Sequence, residues 1–138
     1  MVMEARIGEL TKKTNETKIH VIFNLDGTGK YKVNTGSGFL DHMVSQLARH
    51  GLFDITLEAQ GDVATGWHHL VEDVAITLGQ SLLLALGDKR GIRRMGHAIV
   101  PLDEAMAMAV VDCSGRGYPV VETTLDETMV ETLPGDLI

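Results

Sequence analysis

The residues best suited to chemistry stand together in "HHLVED", positions 68–73. Successive residues of an α-helix are turned by about 100°, whereas positions four apart lie nearly in register. On such a helix His68 and Glu72 converge on one point and His69 diverges from His68. One ion would rarely take both imidazoles. Two ions could: His68 and Glu72 on one, His69 facing the other, with the remaining ligands supplied from elsewhere. Nitrogen and carboxylate donors without thiolate favour Mn, Fe, Co, Ni or Zn over Ca or Mg. The plainer alternative is a solvated helix start, with Glu72 and Asp73 complementing the helix dipole.

His42, in "GFLDHM", begins a second helical pattern. Two helices that start with histidine, in a chain with six, suggest convergence on one centre. Alone, His42 would read as a helix-end histidine near Asp41. His20 alternates with the apolar positions of a strand and reads as an exposed sheet residue. His97 follows Gly96 in a loop and carries no signal. His50 falls in the last turn of its helix, where a cation suits the dipole, which makes its own reading structural. Lys89, Arg90, Arg93 and Arg94 cluster after the long helix, where neutralising its end is the simple role. Arg116 sits between two glycines in "SGRG". Guanidinium binds phosphate as a fork, so a turn-held Arg116 and one arginine of the cluster could grip a phosphate.

These residues need a scaffold. "TKIHVIFNL" places Ile19, Val21, Phe23 and Leu25 on one face of a half-buried strand. "DGTG" predicts a hairpin turn, with "KYKV" as the returning strand. "FLDHMVSQLARHGLF" has helical spacing and a stop at Gly51, and "DITLEAQG" is a further strand. The long helix runs from about His68 to Leu86 and ends at Gly87. "AIVPL", "EAMAMAVVDC" and "YPVVET" read as three more strands, with Pro101 at a bulge or strand end. Three strands, helix, strand, helix and three strands predict an α+β fold with helices on one face of a mainly antiparallel sheet.

The 138 residues suit one compact domain. The longest uncharged run, Val74–Gly87, is short and glycine-broken for a membrane span, and no signal peptide is visible at the start. A lone Cys113 excludes an internal disulfide framework and fits a reducing cytosol. A net charge of −7 argues against a nucleic-acid or anionic-membrane surface.

"VIFNLDGTGKY" and "MAVVDCSGRGY" resemble each other, Gly27 pairing with Gly115 and Gly29 with Gly117. The order of elements repeats with them. Residues 1–91 form a first half, and 92–138 begin a second. The counterpart of the His68–His69 helix would fall beyond residue 138, so the second half is expected to be incomplete and the chain to be a fragment of a longer one. Its uncovered sheet face should drive association or disorder.

"ARIGEL", "NLDGTG", "TGSGFLDHM", "QLARHGLFD", "HHLVEDVAITLGQSLLLALGDKRGIRRMGHA", "PLDEA" and "VDCSGRGY" together resemble the imidazoleglycerol-phosphate dehydratases of histidine biosynthesis, in unbroken order from Ala5 to Tyr118. The resemblance implies a duplicated fold, each half a four-stranded sheet with two helices on one face. It also implies a large cage-like homo-oligomer in the cytoplasm, with two manganese ions at sites between subunits. It makes His42, His68, His69 and Glu72 metal ligands, and it reverses the structural reading of His50, which with Gln46 would line the substrate. Glu16, in "KTNET", matches a carboxylate that moves a proton, and Glu72 shares in the catalytic centre. Arg94 and Arg116 match residues that hold the substrate phosphate, and Asp103 and Glu104 fall at the site wall. By the same resemblance, an imidazolate spanning both metals acts as an electron reservoir while Glu16 removes a side-chain proton. Hydroxide departs through a diazafulvene-like intermediate, and the enol becomes imidazole acetol phosphate.

Gly66 and Trp67 depart from the two acids that the family pattern has before the histidine pair. Trp67 would either cover the site or mark a differently folded loop. Two other readings compete: a non-catalytic half-domain that binds metal or partner subunits, and a different dinuclear enzyme such as a phosphoester hydrolase. The survival of Glu16 with "HHLVED" favours the dehydratase, because a scaffold needs neither.

Overall fold

The computed structural model describes residues 5–125 and 127–138. The elements are β1 (Ile7–Lys13), β2 (Thr17–Asn24), β3 (Tyr31–Asn34), α1 (Gly38–Gly51), β4 (Asp54–Gly61), α2 (His68–Leu86), β5 (Met95–Leu102) and β6 (Ala105–Asp112), then short β7 (Met129–Val130) and β8 (Leu133–Pro134). They form two compact units, one of residues 1–87 with 123–138 and one of residues 88–122.

In the first unit a four-stranded sheet has the order β1-β2-β4-β3. β2 is antiparallel to both β1 and β4, and β3 is parallel to β4. The alternation seen in the sequence places Ile19, Val21 and Phe23 of β2 beside Ile55, Leu57 and Ala59 of β4, all buried on one face. Val44 and Ala48 of α1, with Leu70 and Val74 of α2, close that core. Burying each large side chain here contributes roughly 1.5–3 kcal/mol, which outweighs anything the exposed charges add. Gly8 sets the distance of α2 from β1. A Cβ there would lie 1.9 Å from the Ser81 carbonyl oxygen, so the two backbones meet where no side chain fits. α2 is long and apolar enough to cross a membrane, contrary to the expectation from its uncharged run alone. Its buried face, Leu70, Val74, Thr77, Ser81 and Ala85, packs on the sheet, so here it is a core helix.

The expected β2–β3 hairpin is wrong. The "DGTG" turn carries β3 past β2 to the far side of β4. The cause is Asp54 at the head of β4, whose carboxylate accepts the Thr28 and Lys30 amides at 2.8 and 2.9 Å. That clamp turns the chain toward β4 before it can fold back.

The second unit is a two-stranded antiparallel ribbon, with Pro101 one residue from the end of β5. "YPVVET" is not a strand, another correction. The reason is visible in the ribbon. Every residue of β5 and β6 is exposed, so no apolar face rewards a third strand for losing its conformational freedom. The glycine correspondence is likewise loose. Gly29 and Gly115 take positive φ while their supposed partners, Gly117 and Gly27, do not.

Candidate active site

α1 starts where Ser37 accepts the Leu40 amide, and Asp41 accepts both the amide and the hydroxyl of Thr35 at 2.7 Å. Asp41 therefore fixes the turn that presents the neighbouring His42. His42, Gln46 and His50 follow at four-residue intervals and share one stripe of α1. His42 and His50 are exposed, and His50 Nε2 meets Gln46 Oε1 at 2.9 Å. The helix ends at Gly51, but Leu52 takes the left-handed turn, at φ 57°.

α2 begins immediately at His68. Its imidazole Nε2 lies 3.8 Å from Glu72 Oε2, one helical turn on. His69 meets a different carboxylate. Its Nδ1 lies 3.9 Å from Oε2 of Glu16, in the loop between β1 and β2. The two rings have centroids 5.6 Å apart and stand at 78° to each other. Each imidazole thus approaches a different carboxylate. All four side chains are solvent-accessible. Among the described residues no three histidine, cysteine, aspartate or glutamate side chains close on one point, so His42 completes no three-ligand group. The donor set nonetheless fits divalent transition ions, as imidazole nitrogen with carboxylate oxygen and no thiolate.

Asp73 is the residue that sequence reasoning misjudged. It is not a solvated partner of the helix dipole. It is buried, with Oδ1 2.5 Å from Lys12 Nζ and Oδ2 accepting the Thr17 hydroxyl. The Lys12 ammonium, then the Thr17 hydroxyl, hold its carboxyl below the usual range. The signal was available: Asp73 shares a helical face with Leu70, Val74 and Thr77. Replacing Asp73 with Asn leaves Lys12 without its counter-charge, and we expect a loss of about 2–3 kcal/mol in urea unfolding. Unchanged stability would show that the pair is decorative.

Gly66 has φ 114°, a conformation in which any side chain is strained, so the backbone at this one position does not suit the acid of the family pattern. Trp67 packs half-buried against the core and does not cover the histidines.

In the second unit Arg94, just before β5, makes a two-pronged pair with Asp112 at 2.5 and 2.8 Å. The Cys113 amide bonds the Arg94 carbonyl at 3.0 Å, which holds the two ends of the ribbon in register. Arg116 follows in a turn where its amide donates to Ser114 Oγ at 3.2 Å. The Asp112 carboxyl is held below its usual range by Arg94 first, with Arg116 adding its charge. Arg94 is thus already paired with Asp112, a partner the sequence had not revealed, and Arg116 acts on that carboxylate through its charge alone. Asp103 and Glu104 form the β5–β6 turn, with Asp103 at φ 49°. His20, expected to be exposed, is half-buried on its strand and bonded to Thr11 Oγ1 at 2.9 Å.

Comparison with known proteins gives a consistent answer. The family model described as imidazoleglycerol-phosphate dehydratase matches residues 35–138. The enzyme of that name from Herminiimonas arsenicoxydans is 59% identical over 133 residues, covering 96% of this chain and 67% of that protein. The one from Janthinobacterium sp. (strain Marseille) is 53% identical, with the same coverage of 96% and 67%. The crystal structure of imidazoleglycerol-phosphate dehydratase from Staphylococcus aureus subsp. aureus N315 matches with a TM-score of 0.80 at 34% identity, over 95% of this chain and 71% of that one. The order of strands and helices, the histidine-bearing helix start and these matches together place the chain in the imidazoleglycerol-phosphate dehydratase family, hydro-lyases of histidine biosynthesis.

Proposed function

We propose that this chain contributes to a metal-dependent site that removes water from imidazole glycerol phosphate to give imidazole acetol phosphate. The observation that carries this reading is the pair of opposed couples at the start of α2, His68 with Glu72 and His69 with Glu16. A simple solvated helix start gives no reason for Glu16, from another loop, to face His69. His68, His69 and Glu72, with His42 from α1, would hold two manganese ions. Bound there, the ions would stabilise the substrate ring as its anion, which could lend electron density to the side chain as hydroxide leaves.

The chain's own residues supply the rest. Glu16 accepts the proton from the glycerol carbon, and the C–H electrons become the carbon–carbon double bond as hydroxide leaves the neighbouring carbon. The enol then takes a proton on carbon and becomes the ketone. Proton and hydroxide together account for the water lost. Gln46 and His50 would line the substrate, and Arg94 and Arg116 would take the phosphate as guanidinium forks, with Asp112 holding Arg94 in place.

The half-filled ligand set supports a site completed by another subunit of a large homo-oligomer, and we place the protein in the cytoplasm. The duplicated plan, residues 1–91 and 92–138, belongs to the same proposal. The deciding experiment is to strip the protein with a chelator and follow ketone formation before and after adding manganese. Activity should vanish and return with the metal. Full turnover by demonstrably metal-free protein would refute the proposal.

A further inference from the structure

The carboxylate assigned to proton transfer has little to hold it. Glu16 is exposed, and the His69 ring lies 3.9 Å from its carboxylate. Its backbone, by contrast, is held on both sides. The Asp62 amide donates to the Glu16 carbonyl at 3.1 Å. The Glu16 amide donates to Thr14 Oγ1 at 3.1 Å, and that oxygen also accepts the Thr17 amide at 2.9 Å. The two hydroxyls of Thr14 and Thr17 lie 3.0 Å apart.

A hydroxyl has one proton to give. Thr17 gives its proton to Asp73, so Thr14 must be the donor between the two threonines. The bonds then run in one direction, from the Glu16 amide through the Thr14 and Thr17 hydroxyls to the Asp73 carboxylate. Bonds aligned this way polarise one another, and the buried anion at the end orients the series. Asp73 immediately follows Glu72, on the helix that carries both histidines.

We propose that Thr14 and Thr17 are positioning residues, which tie the Glu16 backbone to Asp73 and so set where the Glu16 carboxylate stands relative to the histidine-bearing helix. This rests on the reading of Glu16 as the proton carrier. Misplacing a reacting group by about an ångström can cost up to a hundredfold in rate, so a backbone tether is a sufficient lever.

The test uses Thr14→Val, at an exposed position that leaves the Asp73 anchor intact, and Thr17→Val, which cuts the series at its buried end. In the manganese-loaded protein both should lower kcat about tenfold and leave KM within about twofold, because the loss is confined to the transition state. Metal content should not change. Thr14→Ser, which restores the hydroxyl, should recover most of the rate. Independently of activity, hydrogen exchange at the Glu16 amide should quicken about tenfold in Thr14→Val, since its acceptor is gone. Wild-type kcat in Thr14→Val, or a Thr14→Ser protein as slow as Thr14→Val, would overturn the inference. Glu16→Gln, measured alongside, separates the two levels. If it is inactive while Thr14→Val is fully active, the tether alone is wrong. If it turns over normally, the proton-carrier reading falls and takes the tether with it.

Discussion

Replacing Glu16 with Gln is expected to lower kcat by about a thousandfold while KM and manganese content stay near those of the parent, the signature of a group that acts in the transition state. Glutamine keeps the shape of the side chain but cannot take a proton. The position makes the test clean. Glu16 is exposed and, among the described residues, its carboxylate meets no charged group closer than the His69 ring at 3.9 Å, so neutralising it should not disturb folding. Steady-state kinetics with metal analysis on the same sample would check it. A kcat within about tenfold of the parent would remove Glu16 from the chemistry, because a positioned base ordinarily contributes at least a hundredfold.

His69→Ala is the second large effect, and its cause differs. We expect turnover to fall by about a thousandfold, near 4 kcal/mol of transition-state stabilisation, with bound manganese and metal-dependent assembly falling together. Both should fall because His69 approaches Glu16 while His68 approaches Glu72, so the His68–Glu72 couple does not stand in for it. Wild-type manganese stoichiometry in the variant would mean that the imidazole is not a ligand, whatever happened to the rate. The pair of variants is diagnostic: one should lose rate and keep metal, the other should lose both.

The His68–His69 divergence was legible because it depends on helical periodicity alone, and periodicity survives any tertiary context. β2 was legible for the same reason, since alternation marks which side of a strand is buried. The pairing of β3 was not. It depends on Asp54, distant in sequence, capturing the turn amides, and no local signal for a hairpin reports a competitor elsewhere in the chain. "YPVVET" failed differently. Its residues favour a strand, but strand propensity is realised only where a neighbour offers hydrogen bonds and a face to bury.

By itself the sequence determined the family, the two helices, the identity of the candidate ligands and the directions in which the two histidines leave their helix. These follow from residue type and from fixed angles per residue. Only the tertiary structure decided what meets those residues: Glu16 beside His69, Asp112 paired with Arg94, and Asp73 turned inward to Lys12 and Thr17. Such contacts join residues far apart along the chain or depend on which face of a helix is covered. They exist only once burial of the apolar faces has brought the strands and helices together.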